Sequence, residues 1–364
     1  MNNLKRKEKI MKKMKISMMI SAVAIATTMM GCGNNTETKQ EKISLSGAGA
    51  TFPEPFYAMA FESYQEKTGN TISYGGIGSG GGIRNLKDKT VDFAGSDAFL
   101  SDEEMSEMKP VIHIPTCMGA VVLAYNIPEL SDLRLSGDVV ADIYAGKITM
   151  WNDIRIAAMN PLAKLPKKRI IPVYRSDGSG TTFVFTNYLS QVNKNWKENY
   201  GAGKSVDFKE GQAAKGNPGV AGVVGQTPYS IGYIGSEYAF AQKLQMAQMV
   251  NANGQFVEPT VESISAAAKG DLPQDTRTMI TNSNADRAYP ISCFTWIVVY
   301  KEQNYAGRSE AQARATLDLL KHMLSPTTQQ VTSLVNYAPL PKSAVKASLE
   351  NLKQLTYNGV PLMN

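Results

Sequence analysis

Histidine and cysteine are scarce in this sequence: the 364 residues include two histidines and three cysteines. No two cysteines form a C-x-x-C pair, so we expect no zinc site and assign no metal. Cys117 and Cys293 lie in apolar, strand-like runs, where we expect buried free thiols. A disulfide stays open as the alternative for an exported protein, because the sequence does not show how close the two residues are.

The main body of the chain also lacks an excess of either charge. The formal net charge is +6, but residues 1–31 contain seven basic side chains and one acidic side chain, which leaves 31 of each sign in the remainder. A protein that coats nucleic acid keeps its basic excess in the folded part. We therefore expect no nucleic-acid partner. The composition, 43% hydrophobic and 19% charged, is that of a globular protein with enough length for two domains.

The N-terminal region has no apolar run of the roughly 20 residues that a membrane-spanning helix needs. A basic stretch ends at Lys15, and an apolar run of about 15 residues follows, which predicts a secretory signal over residues 1–31. Gly31 then precedes Cys32 and a polar segment. This ending resembles the lipobox of bacterial lipoproteins, although Met29 stands where leucine is usual in that motif.

The lipobox resemblance implies that Cys32 carries a lipid and begins the mature chain, with residues 32–42 as a flexible tether. The protein would then be exported and held at the periplasmic or extracellular face of a cell membrane. Plain secretion and an uncleaved anchor remain the alternatives.

Predicted strands and helices alternate from Ile43 onwards, which favours an α/β fold with mostly parallel strands buried on both faces. Long apolar strands are expected at 116–126 and 289–301. Helical spacing and end signals predict helices that include residues 53–69, 82–90 and 138–153.

Three times, a predicted strand runs into a turn of Gly, Ser and Thr and then into a helix, at residues 47–53, 76–84 and 175–182. Helix N-termini carry free amides that bind anions, and ligands of open α/β sheets lie at the carboxyl ends of strands. We therefore expect the three turns to converge on one anion. The middle turn also fits G-x-G-x-x-G, but an exported protein meets little dinucleotide, so no cofactor is expected.

The first turn, GAGATFPEP, places Thr51 and Phe52 just ahead of two prolines that suit the first turn of a helix. The amides of Thr51 and Phe52 and the Thr51 hydroxyl are then free to face a ligand. The alternative is a simple helix entry that Thr51 caps.

The third turn, RSDGSGTTF, gathers the donors of Ser179, Gly180 and Thr181 at a helix N-terminus. Arg175 adds a planar fork of N–H groups that suits oxyanions, and Asp177 is placed to hold that fork. The alternative is a capped helix beside a surface ion pair.

Another predicted strand, VDFAGSD, ends in a carboxylate at Asp97. An ionised Asp accepts hydrogen bonds but donates none, so in an anion site it fits only a ligand that still carries a proton. Hydrogen phosphate has such an O–H group. Sulfate at neutral pH has none, and the unmatched buried contact would cost about 1–3 kcal/mol. The alternative role of Asp97 is to cap the segment that follows.

Several long motifs, all in order along the chain, resemble the substrate-binding subunit of phosphate-specific ABC transporters, the PstS family: GAGATFPEPFY, YGGIGSGGGIRNL, VDFAGSDAFLSDEEM, PTCMGAVVLAYNIPEL, DIYAGKITMWND and YRSDGSGTTFVFTNYLSQVN. The resemblance implies a type II periplasmic-binding-protein fold, in which two α/β lobes close on a ligand in the cleft between them. Residues 43–118 plus 290–364 would form one lobe and residues 119–289 the other. The strands around Cys117 and Cys293 would form the hinge region.

The resemblance also implies a set of phosphate-binding residues. Carried over motif by motif, they are Ala50, Thr51, Phe52, Ser79, Asp97, Arg175, Asp177, Ser179, Gly180 and Thr181. Gly80 stands where a second serine often follows the first, and the segment 203–222 matches only loosely.

The function that the resemblance implies is selective binding of inorganic phosphate outside the cytoplasmic membrane and its delivery to the permease subunits and ATPase of an ABC transporter. We expect a monomer and no enzyme. The alternatives are a receptor for sulfate, molybdate or tungstate, and a phosphatase that uses Ser179. G-x-S-x-G is absent because position 177 is Asp, and neither His113 nor His322 adjoins a site motif.

Overall fold

The computed structural model describes residues 42–128 and 130–363. The signal segment and Cys32, for which we predicted export and lipidation, lie outside these residues. The strands are β1 (Ser44–Gly49), β2 (Thr71–Gly76), β3 (Phe93–Ser96), β4 (Val111–Asn126), β5 (Arg134–Leu135), β6 (Ile171–Arg175), β7 (Gln212–Ala214), β8 (Ser230–Gly235), β9 (Gln245–Met246), β10 (Gln248–Val250), β11 (Phe256–Val257), β12 (Ser292–Tyr300), β13 (Thr356–Tyr357) and β14 (Val360–Pro361).

Helices separate most of these strands. They are α1 (Glu54–Thr68), α2 (Ser79–Lys87), α3 (Asp102–Ser106), α4 (Gly137–Tyr144), α5 (Ile154–Met159), α6 (Gly180–Val192), α7 (Lys194–Asn199), α8 (Gly216–Gln226), α9 (Ser236–Gln242), α10 (Val261–Ala267), α11 (Glu310–Leu324), α12 (Pro326–Val331), the 3₁₀ helix Thr332–Val335, and α13 (Lys342–Leu352).

The main sheet of the described chain has the strand order β2-β1-β3-β12-β4-β8-β6-β7, with β9 beside β4. The pairs β1–β2, β1–β3, β6–β7 and β6–β8 are parallel, as predicted. The central strands β12 and β4 run antiparallel to their neighbours. The expectation of a mostly parallel sheet is therefore wrong at the centre, because apolar runs reveal burial on both faces but not strand direction.

Strand β4 joins two halves of this sheet. Its residues 111–120 pair with β12, whereas residues 121–126 pair with β8. We call the strands β1, β2, β3 and β12 the first half, and β6, β7 and β8 the second half. The predicted lobe boundaries, at 118/119 and 289/290, lie close to this change of partners and to the start of β12, and they remain a prediction.

Helix α1 confirms the helix that we predicted over residues 53–69. Two prolines stand in or before its first turn, and Gly69 ends it with a φ of +76°, a left-handed conformation that favours glycine. The buried face consists of Phe56, Tyr57, Ala60, Phe61 and Tyr64. Each large apolar side chain that is fully buried contributes about 1.5–3 kcal/mol to stability, so this face fixes α1 and the turn before it.

The helix that we predicted over residues 138–153 is shorter in the structure. It ends at Tyr144, and Gly146 follows with a φ of +72°. The amides of Lys147 and Ile148 both donate to the Asp142 carbonyl, which turns the chain back. A separate helix, α5, begins after Asp153, whose side chain accepts from the amide of Arg155. The apolar spacing continued through the turn because residues there are also buried.

The two long apolar strands are present and carry the two cysteines of the described chain. Cys117 lies in β4 and Cys293 in β12, and both are buried free thiols. Burial raises the pKa of each thiol well above its ordinary value. Within the part of the chain that the structure describes, each helix is too short or too polar to cross a bilayer.

Candidate oxyanion-binding site

The three glycine-rich turns meet between the two halves of the sheet. They follow the carboxyl ends of β1, β2 and β6, and Asp97 follows the end of β3. The amide of Gly180 donates to Ser79 Oγ at 3.1 Å, and Thr181 Oγ1 donates to Asp97 Oδ2 at 3.4 Å. These contacts join turns that are about a hundred residues apart in the sequence, so the structure brings the predicted turns together.

Ser79 lies at the centre of this meeting point. It is fully buried and is the first residue of α2, which begins three residues earlier than predicted. Its Oγ accepts hydrogen bonds from the amides of Gly180 and Asp97. A Cβ atom at Gly180 would lie 2.4 Å from Ser79 Oγ and 2.8 Å from Asp97 Cβ. Only glycine allows this close approach.

Arg175 and Asp177 form a bidentate ion pair. Arg175 Nε donates to Asp177 Oδ1 at 2.7 Å, and Nη2 donates to Oδ2. The Arg175 side chain is 1% exposed, and Asp177 Oδ1 also accepts from the amide of Gly216. Burial alone would raise the pKa of Asp177, but the hydrogen bonds and charge of Arg175 lower it overall. The pair leaves Nη1 of Arg175 directed at Thr181, 3.4 Å away.

Asp97 lies in a different environment. It is buried, and its two oxygens accept from the hydroxyls of Thr295, at 2.9 Å, and Thr181. Burial raises the pKa of Asp97 to about 7, although the Thr295 hydrogen bond, the Arg175 charge and the Thr181 hydrogen bond lower it in part. In its ionised form this carboxylate can accept a hydrogen bond from a ligand that carries a proton.

Tyrosine hydroxyls hold the first turn through its carbonyl groups. The carbonyls of Ala50, Thr51 and Phe52 accept from Tyr74, Tyr238 and Tyr337, respectively. The amide of Ala50 donates to the Gly95 carbonyl at 2.8 Å. Both backbone polar groups of Ala50 thus have partners already, so these contacts do not support its predicted role as a ligand donor. Thr51 and Phe52 stay as candidates.

Ser179 has a structural role that its sequence context also allowed. Its Oγ accepts from the amide of Thr182 and caps α6, and its own amide donates to the Lys204 carbonyl. The capped helix that we named as the alternative is therefore present. The cap uses neither the Ser179 hydroxyl hydrogen nor the amide of Thr181.

Three buried polar residues at the site were missed from the sequence: Thr295, Asn217 and Glu237. Thr295 lies in β12 and reaches Asp97 because the register of β4 and β12 shifts between Thr295 and Trp296, a bulge that redirects side chains. Burial raises the pKa of Glu237 well above its ordinary value. Local patterns held no signal for any of the three.

Neither histidine takes part in the site. His113 Nε2 accepts from the amide of Leu100, and burial lowers its pKa to about 3. The ring of His322 contacts the Ala60 carbonyl and the Thr328 hydroxyl. Within residues 42–128 and 130–363, no group of three or more His, Cys, Asp or Glu side chains is arranged to hold a metal ion.

A two-part sheet with polar turns meeting between its halves is the architecture of a type II periplasmic binding protein. A family model described as a PBP superfamily domain matches residues 34–327. The chain also resembles the solved structure of a high-affinity periplasmic phosphate-binding protein (PfluDING) bound with phosphate. The TM-score is 0.69 with 22% identity, and the match covers 88% of this chain and 97% of the other.

Sequence relatives narrow this class further. The chain is 41% identical over 308 residues to the phosphate-binding protein PstS of Pasteurella multocida, a match that covers 83% of this chain and 88% of that protein. It is also 41% identical over 309 residues to PstS of Haemophilus influenzae, covering 83% and 90%. This chain belongs to the family of PstS phosphate-binding proteins.

Proposed function

We propose that this protein binds inorganic phosphate selectively outside the cytoplasmic membrane and delivers it to the permease subunits and ATPase of an ABC transporter. The observation that carries the proposal is that a cationic hydrogen-bond donor and a carboxylate acceptor lie close together, since both contact Thr181 Oγ1. Arg175 offers a hydrogen-bond donor with a positive charge, and Asp97 offers a buried acceptor. An anion that also carries a proton satisfies both groups.

Family membership supports the same proposal, since the relatives are named phosphate-binding proteins. The site itself supplies little net positive charge, because Asp177 offsets Arg175. Oriented hydroxyl and amide dipoles must therefore replace the hydration of the anion. Apart from Ala50, whose amide already donates to the Gly95 carbonyl, the predicted ligand residues are part of this proposal: Thr51, Phe52, Ser79, Asp97, Arg175, Asp177, Ser179, Gly180 and Thr181.

Calorimetric titration of the purified, exhaustively dialysed protein tests the proposal. We expect phosphate to bind and sulfate to bind at least about 100-fold more weakly, because a site built for a particular hydrogen bond rejects a ligand that lacks it. Sulfate, molybdate or tungstate binding as tight as phosphate binding would contradict it. Turnover of a chromogenic phosphate ester, lost in the Ser179→Ala variant, would instead favour a phosphatase.

The location of the protein is a second part of the proposal. A signal over residues 1–31 and a lipid on Cys32 would hold a monomeric receptor at the outer face of the membrane. Metabolic labelling with a fatty-acid analogue tests this: we expect label on the wild-type protein and none on the Cys32→Ala variant. An unlabelled wild type would favour plain secretion, and a labelled variant would show that the lipid is not on Cys32.

A further inference from the structure

Asn217 links the two sides of the candidate site. It is fully buried near the start of α8, within the segment that the family resemblance matched only loosely. Its side chain contacts Thr51, which follows β1 in the first half, and Thr181, which follows β6 in the second half. No motif in the sequence pointed to this residue.

The orientation of the Asn217 amide is fixed by a backbone group. Asn217 Oδ1 accepts from the amide of Gly235 at 3.0 Å. Since a backbone N–H can only donate, the atom that faces it must be the amide oxygen. The Nδ2 group therefore points the other way, towards the two threonine hydroxyls.

Thr51 receives two hydrogen bonds from Asn217. The side-chain Nδ2 donates to Thr51 Oγ1 at 2.9 Å, and the backbone amide donates to the same oxygen at 3.1 Å. A hydroxyl oxygen has two lone pairs and one hydrogen. Both lone pairs are engaged, so the Thr51 hydrogen is left to donate to another group.

Thr181 is arranged in the same way. Its Oγ1 accepts from Asn217 Nδ2 at 3.2 Å and lies 3.4 Å from Arg175 Nη1, which donates to it. Its own hydrogen is then directed towards Asp97 Oδ2, on the side where the turns converge. A threonine hydroxyl alone could face an anion with a lone pair, which repels it, or with its hydrogen, which binds it.

We propose that Asn217 is a positioning residue of the site: it engages lone pairs of the Thr51 and Thr181 hydroxyls, so that Thr51 presents its hydrogen to the bound anion and Thr181 presents its hydrogen to Asp97, the carboxylate that accepts the ligand proton. This inference rests on the proposed function for the identity of the anion. Asn217 does not itself contact the ligand in this account, and its effect on binding passes through the two hydroxyls.

A double-mutant cycle tests the inference with inorganic phosphate as the probe. We expect Asn217→Ala to weaken phosphate binding about tenfold, the value of two hydrogen bonds of ordinary strength. The same substitution is then made in the Thr51→Val and Thr181→Val backgrounds. Because Asn217 acts through these hydroxyls, we expect its effect to shrink at least threefold in one or both backgrounds. A smaller reduction in both backgrounds overturns the inference.

Two further variants separate positioning from folding. Asn160 is another buried asparagine of the chain, which hydrogen-bonds backbone groups of Arg134 and Ile156. Asn160→Ala should lower the melting temperature without changing phosphate affinity. If Asn217→Ala does not fold, Asn217→Asp replaces it, since it keeps the size and the Gly235 contact. We expect this variant to draw both hydroxyl hydrogens to its carboxylate and to lose at least tenfold in affinity; unchanged affinity overturns the inference.

The cycle also distinguishes this inference from the proposed function. If the wild-type protein binds no phosphate, the proposed function is wrong, and the same cycle is run with sulfate as the probe. If the wild type binds phosphate and the Asn217→Ala effect is equal in all backgrounds, the positioning role alone is wrong.

Discussion

The two halves of the sheet use their aspartates in opposite ways. At the end of the first half, Asp97 is held by the hydroxyls of Thr295 and Thr181, and burial raises its pKa to about 7. In the second half, Asp177 is in a bidentate ion pair with Arg175, and its pKa is lowered despite burial. One carboxyl has uncharged partners and a raised pKa, and the other has a cationic partner and a lowered pKa.

This difference separates two tasks that an anion receptor must perform. Asp177 orients the Arg175 guanidinium through their ion pair, so the second half attracts the anion with a cation of fixed geometry. Asp97 has uncharged partners at both oxygens, so the first half supplies an acceptor that favours a ligand carrying a proton. Attraction and selectivity therefore reside on different elements, and mutations should affect them separately.

The largest effect is expected when the cation of the second half is removed. Arg175→Ala should weaken phosphate binding by about 2–4 kcal/mol, the value of a buried charge-assisted contact, as measured by calorimetry. Arg314→Ala is the matched control, because Arg314 is exposed and pairs with Glu310. A loss within the error of the control would remove Arg175 from the site.

Part of that loss could come from the unpaired Asp177 carboxylate rather than from the missing cation. The double variant Arg175→Ala/Asp177→Ala resolves this, because it removes both charges of the pair. We expect the double variant to bind more tightly than Arg175→Ala alone but more weakly than the wild type. Full recovery would mean that Arg175 only neutralises Asp177.

The next largest effect concerns the first half. Asp97→Asn keeps the shape of the side chain and supplies an N–H donor, so the ratio of phosphate to sulfate affinity should fall by about 1–3 kcal/mol. Asp132→Asn is the control, since Asp132 is exposed. Calorimetric titrations with both anions measure the ratio. Unchanged selectivity would show that Asp97 does not read the ligand proton.

The pH should alter selectivity through the same residue. Below its pKa of about 7, Asp97 is protonated and can donate a hydrogen bond to sulfate; above it, the carboxylate repels sulfate. We therefore expect sulfate affinity to fall roughly tenfold between about pH 6 and about pH 8, as the protonated fraction falls by a similar factor. The Asp97→Asn variant should show no such dependence, and a wild type with constant sulfate affinity would contradict the assignment.

The parts of this site that the sequence predicted are those carried by continuous motifs. Ser79, Asp97, Arg175 and Thr181 each lie in a strand-turn-helix segment whose glycines, caps and apolar spacing are local signals. Parallel pairing of the strands then brings the turns to one edge. The bidentate Arg175–Asp177 pair was predictable because its members are two residues apart.

The residues that were missed depend on long-range pairing. Thr295 reaches Asp97 through the bulge between β4 and β12, and Asn217 reaches Thr51 across 166 residues of sequence. A continuous apolar run indicates burial on both faces but not strand direction, which also explains the error over the central antiparallel strands. The early end of α4 is followed by a left-handed glycine at position 146. The apolar spacing of the segment does not indicate this turn, because it continues beyond it.

The smallest expected effect tests how the two sides of the site are held together. Lys204, before β7, forms an ion pair of 2.6 Å with Glu104 on α3, after β3. Glu104 also accepts from the amide of Ser101 in a capping box, so Lys204→Met removes the pair and leaves the cap intact. If the pair helps to hold the two sides of the site together, phosphate affinity should fall by about 0.5–1 kcal/mol in this variant, which is typical of a partly exposed pair.

Lys87→Met is the matched control for this last effect. Lys87 pairs with Glu107 at 3.0 Å, and both residues lie between β2 and β4, on the side of the first half. We expect the control to leave affinity unchanged, and the Lys204→Met loss to shrink in about 1 M salt, where charges are screened within about 3 Å. Equal losses for the two variants would mean that the Lys204–Glu104 pair stabilises the surrounding helices rather than the approach of one half to the other.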